Sequence, residues 1–405
     1  TIVYTEHYYS RMKQTVAEFN SLYLGGVAHE LGHALGLPHD DGGEGEQPLG
    51  VSLMGQGNLN YRENVWGGKT PSYLSRGSAL KLLSHPFFSG SNRGRWDDVK
   101  PFFDSLNFSV TNGMLRVQGV ITDTIPAYAV IAYAWHGDDD HSAKSFPCVV
   151  KDGRFDLTLD GFKPGNLHHF HLRLSKIYVN GADVTETFPF SFDDKSLPDV
   201  AALNTSWIVD RAELAVMQGQ PEARDLTGDT AIAAAPTPEA AQKLRALRAV
   251  LEPVAPFDLG TVSGDSAFLS DAVWTEAEVG WGQVTRNHFW FAPNFQSGVL
   301  LHLKDHFYGK GLYAHSSSRY VFPVDGHWKT FTASAGLQDG AQGSAVFIVS
   351  GDGRELYRSG VLGADQTSEV KVDISKVKEL ELLTEGGEGN THGSWAIWAE
   401  PKVLR

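Results

Sequence analysis

Apolar residues recur at intervals of three and four between residues 19 and 36: Phe19, Leu22, Tyr23, Val27, Ala28, Leu31, Ala34 and Leu35. That period predicts a helix, which Gly36 and Pro38 stop. A second helical pattern covers Tyr73 to Leu83 and ends at His85-Pro86. Between about residues 99 and 194 the pattern changes to short alternating runs: 106–110, 114–121, 128–134, 154–159, 168–174 and 188–192. Asn112-Gly113, Asp152-Gly153, Asp160-Gly161 and Asn180-Gly181 punctuate them as hairpin turns, which predicts a small β-sandwich. Residues 197–253 turn to Ala, Leu, Glu and Gln, with Thr237-Pro238-Glu239 as a helix start and Ala240, Leu244, Leu247 and Leu251 as one apolar stripe. A partly helical linker packed on a neighbour is expected there. From Phe257 onward strand patterns return with frequent aromatics.

The expected division is thus 1–95, 96–196, 197–253 and 254–405. At roughly 150 residues per domain, 405 residues suit two or three cores, and 43 Gly, 22 Phe and 10 Trp with 20% charged residues fit β-rich domains joined by tight turns. With 34 basic and 48 acidic residues the net charge is −14, which repels nucleic acid. No apolar run approaches the roughly 20 residues of a membrane-spanning helix. The single cysteine, Cys148, excludes a disulfide-stapled or Cys-rich zinc scaffold and leaves the redox compartment open. The chain starts at Thr1 with no secretory leader pattern, and reads as a processed or truncated piece.

The chemistry concentrates in His29-Glu30-Leu31-Gly32-His33-Ala34-Leu35-Gly36-Leu37-Pro38-His39. His29 and His33 are one helical turn apart, so both imidazoles can reach one Zn²⁺ at about 2.0–2.1 Å. On a continuing helix His39 would lie roughly 240° away from His33. Gly36 can take a positive φ, which lets the chain leave the helix and bring His39 back. Three neutral imidazoles leave a position for water, whose pKa the ion lowers towards ~7, and Glu30 is placed to act as general base. The reaction class is hydrolysis of an amide.

This segment resembles the zinc motif of the metzincin metalloendopeptidases, HExxHxxGxxH, at every fixed position, and Asp40 after the third His resembles the adamalysin-type variant. The resemblance implies an α+β zinc domain over residues 1–95. It also implies a methionine turn beneath the site, for which Met54 in Ser52-Leu53-Met54-Gly55 is the candidate. Gln56 stands where many members carry Tyr or Pro. Only 28 residues precede His29, so the match is to the back half of a catalytic domain.

The acidic run Asp40, Asp41, Glu44 and Glu46 and the triplet Asp138 to Asp140 are expected as solvated loops, with Ca²⁺ conceivable but unsupported. His169 and His171 share a strand face without a third ligand at a defined spacing.

Residues 267–401 resemble the NPCBM family of carbohydrate-binding modules, through segments that include Gly280-Trp281-Gly282, Gly311-Leu312-Tyr313-Ala314-His315-Ser316 and Trp395-Ala396-Ile397-Trp398-Ala399. A C-terminal β-sandwich and a sugar ligand follow from that resemblance. Aromatic faces stack on sugar rings, which makes Trp281, Tyr313, His315 and Trp395 the candidate contacts; Trp290 and Trp328 belong to the wider set. The expectation is a multidomain protein with a zinc domain, a central Ig/fibronectin-like sandwich and a carbohydrate-binding sandwich. Its function would be that of a secreted or cell-surface bacterial zinc endopeptidase acting on proteins or glycoproteins. The alternative is a glycan-binding adhesion protein with an inert zinc domain. No carboxylate pair stands out as a glycosidase acid and nucleophile.

Overall fold

The computed structural model describes residues 2–3, 14–61, 64, 67–164, 170–291 and 298–405, with side chains outside 2–3, 14–22 and 59. The chain divides into two compact units, Thr1–Trp207 and Ile208–Arg405, so the expected boundary at residue 95 lies inside the first of them.

In the first unit the helix α1 spans Val16–Ala34. It ends in a Schellman cap: Gly36 takes φ +84°, its N–H donates to the His33 carbonyl, and the Leu37 N–H reaches back to Gly32. The apolar period thus predicts the helix, and the glycine the place where the chain leaves it. The second helix, α2, begins at Arg76 rather than Tyr73 and runs to Leu83. Tyr73 is extended because its carbonyl accepts the Leu53 N–H and its strand pairs in parallel with Val51–Ser52. Ser75 then caps α2 by accepting the Ser78 N–H at 3.0 Å.

Seven antiparallel strands follow in two sheets. One has the order 105–111, 114–120, 154–158; the other has the order 183–190, 170–178, 127–136, 144–149. Alternate residues such as Phe108, Val117, Leu157, Leu172 and Phe188 close the core between them. The strand Lys144–Val149 escapes a pattern search because it is short and carries Pro147, which an edge strand tolerates. Asn204 hydrogen-bonds both the N–H and the carbonyl of Phe108, which fixes the first turns of the helix Val200–Met217 on this sandwich.

The segment after His39 and helix α2 are tied to the sandwich by polar contacts. The Asp41 N–H donates to the Ala143 carbonyl at 2.6 Å, the Tyr128 hydroxyl to the Leu80 carbonyl, and Lys81 pairs with Asp183.

The second unit opens with helices whose small core of Ala212, Val216, Ala240, Leu244 and Leu247 also takes in Val299 and Leu300. Thr237 caps the helix Pro238–Leu251 by accepting the Ala240 N–H. The buried Glu213 carboxylate accepts the N–H groups of Val299 and Leu300. The rest is a sandwich of two five-stranded antiparallel sheets around Trp398, Tyr320, Phe322, Phe331 and Phe347.

Candidate functional site

Helix α1 delivers His29 and His33 on one face, and the turn after Gly36 brings His39 to them. The ring centroids lie 4.7 Å apart for His29 and His33, 4.7 Å for His33 and His39, and 5.5 Å for His29 and His39. Their ligand nitrogens fall within 4.8 Å of one another.

Each ring has an acceptor at Nδ1. His29 Nδ1 lies 2.7 Å from the Leu53 carbonyl, His33 Nδ1 2.9 Å from the Leu37 carbonyl, and His39 Nδ1 2.5 Å from Asp140 Oδ1. These acceptors call for the proton on Nδ1, which leaves a lone pair on each Nε2. His29 Nε2 and His33 Nε2 are 3.0 Å apart. Two lone pairs at that distance repel, and a cation between them turns the repulsion into coordination. Burial pushes the His29 imidazole below its ordinary pKa, and the neighbouring His33 and His39 add to the shift, favouring the neutral form that binds metal. The donor set therefore fits a nitrogen-liganded ion such as Zn²⁺. Nothing comparable gathers the acidic loop into an oxygen cage for Ca²⁺ among the described residues.

Met54 is fully buried under α1. Its turn supplies the Leu53 carbonyl to His29 and the Met54 carbonyl to the Asp40 N–H. Glu30, next along the helix from His29, is exposed, and its charge acts on His29.

Asp40 is not a solvated loop residue: it is fully buried. Its carboxylate accepts the Gly42 N–H at 2.8 Å and the hydroxyls of Ser75 and Ser78. Burial raises its pKa, and Ser75 and Gly42 oppose the shift. It is an internal anchor that locks the segment after His39 onto the cap of α2.

Sequence patterns miss Asp140 and His141. Both sit on the loop before strand Lys144–Val149, about a hundred residues from His39, Asp140 closing an acidic triplet that by composition looks like solvent-facing loop and His141 following it. Yet His141 stacks on His39 with centroids 3.7 Å apart, and His39, Asp140 and His141 form a second group with metal-ligand spacing. His168 and His169 lie outside the described residues; His171 stacks on Trp135.

In the second unit a cleft of about 700 Å³ is lined by Trp281, His315, Trp395, Gln342, Asn390 and His392, among others. Three of the four expected sugar contacts meet there. Tyr313 does not: it is fully buried, packs on Phe289, and donates its hydroxyl to the Trp281 carbonyl at 2.9 Å. The strand Gly311–Tyr313 pairs with the central strand Ala396–Leu404, which puts Tyr313 behind the wall. Trp328 is likewise core. Gln342 comes from one loop and Asn390 and His392 from another, where the His392 N–H donates to Asn390 Oδ1, so no single local motif marks the three.

The NPCBM/NEW2 domain family matches residues 265–404. The chain is 28% identical over 255 residues to a curated protein of Renibacterium salmoninarum named "Putative endo-alpha-N-acetylgalactosaminidase". That alignment covers 56% of this chain and spans 17% of that protein's length. Among solved structures, catalytically inactive OgpA from Akkermansia muciniphila in complex with an O-glycopeptide (glycodrosocin) is similar at 23% identity with a TM-score of 0.38. It covers 44% of this chain and 51% of that one. The M60 catalytic domain with CBM51-1 and CBM51-2 from Clostridium perfringens ZmpB matches at 14% identity and TM-score 0.32, over 76% of this chain and 32% of that one. The architecture is that of a multidomain β-sandwich protein with a distinct C-terminal NPCBM domain. Among the described residues no helix is long and apolar enough to cross a membrane.

Proposed function

We propose that the chain is the zinc-binding part of a bacterial endopeptidase, secreted or displayed at the cell surface, that cuts glycoproteins and is held to them by its C-terminal cleft. The observation that carries this is the convergence of His29, His33 and His39, whose ligand nitrogens lie within 4.8 Å of one another and whose Nδ1 atoms each meet an acceptor. A zinc ion held by His29, His33 and His39 would supply Lewis acidity towards a peptide carbonyl and lower the pKa of water. Glu30 stands beside His29 at the solvent-facing side. Its carboxylate takes a proton from the attacking water and returns it to the departing amine nitrogen. Met54 supports the helix from below. Trp281 and Trp395 offer aromatic faces to a sugar, and Gln342, Asn390 and His392 offer polar groups to its hydroxyls. Raising the local substrate concentration in this way leaves the chemistry untouched.

The test is metal analysis of the purified chain followed by mass spectrometry of a glycoprotein digest. One equivalent of zinc, chelator-sensitive peptide cleavage, and a Glu30→Ala variant that keeps the zinc but loses roughly 10²–10⁴-fold in rate support the proposal. Sugar release without peptide cleavage would make it a glycosidase. Glycan binding with no turnover would leave a carbohydrate-binding protein with an inert zinc segment.

A further inference from the structure

His29 and His33 are held by the helix that carries them, and the backbone carbonyls of Leu53 and Leu37 set their ring orientation. His39 has neither support. It follows a positive-φ glycine and Pro38 on irregular chain, where no neighbouring helical turn restricts its rotamer. Its partners come instead from the β-sandwich. Asp140 Oδ1 meets its Nδ1 at 2.5 Å, and the His141 ring lies over its face at 3.7 Å and 28°.

That loop is itself built. Asp139 caps the short turn Asp140–Ser142 by accepting the His141 N–H at 3.0 Å, and its carboxylate also meets His141 Nδ1. The Ala143 N–H closes the turn onto the Asp140 carbonyl, and the Ala143 carbonyl accepts from Asp41, two residues beyond His39. The contact to His39 is thus fixed from both sides.

We propose that Asp140 and His141 are positioning residues of the metal site, supplied by the β-sandwich: Asp140 accepts the His39 Nδ1 proton and holds Nε2 inward, and His141 blocks rotation of the ring. This rests on the zinc assignment made above. A carboxylate behind a ligating imidazole also raises its basicity and so its affinity for the ion. The same geometry argues against a second ion among His39, Asp140 and His141. That ion would need the His39 Nδ1 and Asp140 oxygen already engaged with each other, and would sit a few ångströms from the first positive charge. The β-sandwich is, on this view, part of the metal centre and not an appended module.

The experiment is zinc affinity by chelator competition on the full chain for wild type, Asp140→Ala, Asp140→Asn, His141→Ala and His29→Ala, with proton NMR of the histidine rings. Asp140→Ala is expected to weaken zinc roughly 10–100-fold. Asp140→Asn, which keeps an acceptor oxygen, should recover most of that. The wild type should show a downfield His39 Nδ1 proton that Asp140→Ala removes and His141→Ala keeps. Where Asp140→Ala does not fold, the wild-type resonance decides the matter, and its absence overturns the positioning role. Zinc affinity in Asp140→Ala within about threefold of wild type, or two equivalents of zinc per chain, overturns the positioning role while leaving a zinc site that His29→Ala destroys. A wild type that binds no zinc removes the underlying assignment as well.

Discussion

The thioether of Met54 lies against the backbone of Gly32, the residue of α1 just before His33. A β-carbon on Gly32 would overlap Met54 Sδ and stand 3.0 Å from its Cε. With Met54 fully buried, the side chain has little room to withdraw. Gly32→Ala, which in a free helix would gain ~1 kcal/mol, should here cost about 1–3 kcal/mol through overpacking and displace the two helical imidazoles. Thermal unfolding and zinc affinity of Gly32→Ala, Met54→Ala and the double variant check this. The double variant is expected to be more stable than the sum of the single changes implies, whereas strict additivity would mean the two residues do not press on each other.

Trp281 and Tyr313 have opposite exposures although one hydrogen bond joins them. Trp281 is partly exposed in the cleft and Tyr313 is buried behind it. Trp281→Ala should therefore lower glycan affinity at least about tenfold with little change in the melting temperature. Tyr313→Phe should cost ~1 kcal/mol of stability and leave glycan affinity nearly as it was. Glycan arrays paired with calorimetry separate the two, and a reversed pattern would place the sugar elsewhere.

Lys176 gives the first unit a pH signature. Its ammonium is sealed in the sandwich, donates to the Lys100 carbonyl at 3.0 Å, lies 3.6 Å from Glu186 and sits over Phe103. Burial holds its pKa down at about 8, against roughly 10.4 in an unfolded chain. Between those values the unfolded chain binds more protons than the folded one, so this residue makes stability rise with pH from about 8 to about 10.5 and penalises folding below that window. Lys176→Met should stabilise the unit, relative to wild type, more at pH 7 than at pH 10. The difference should be up to ~3 kcal/mol. Denaturant unfolding at the two pH values measures it, and a pH-independent difference would show that the lysine is not desolvated.

Most of the three-histidine constellation is readable as a string because its parts are local. The His29/His33 spacing follows from one helical turn, and the return of His39 from one glycine at φ +84°. Thr237-Pro238 marks a helix start for the same reason. Tyr73 misleads, since its place in a helical period is overridden by its strand partner Ser52, 21 residues away. Asp40 misleads differently: charge and glycine-rich neighbours suggest solvent, and the Gly42 N–H together with the hydroxyls of Ser75 and Ser78 makes its burial possible. Tyr313 cannot be told from a sugar platform by residue type, because a buried tyrosine and an exposed one carry the same ring.

The linear order of residues determined what depends on near neighbours: the helix, its cap, the three imidazoles, the hairpin turns and the aromatic wealth of the C-terminal sandwich. Tertiary structure alone decided which groups stand behind those imidazoles and which aromatics face a cleft. Asp140 reaches His39 across 101 positions of chain, and Gln342 and His392 meet Trp281 only when strands distant in sequence pair. Periodicity records which way a side chain faces along its own element, and it carries nothing about which other element that face will meet.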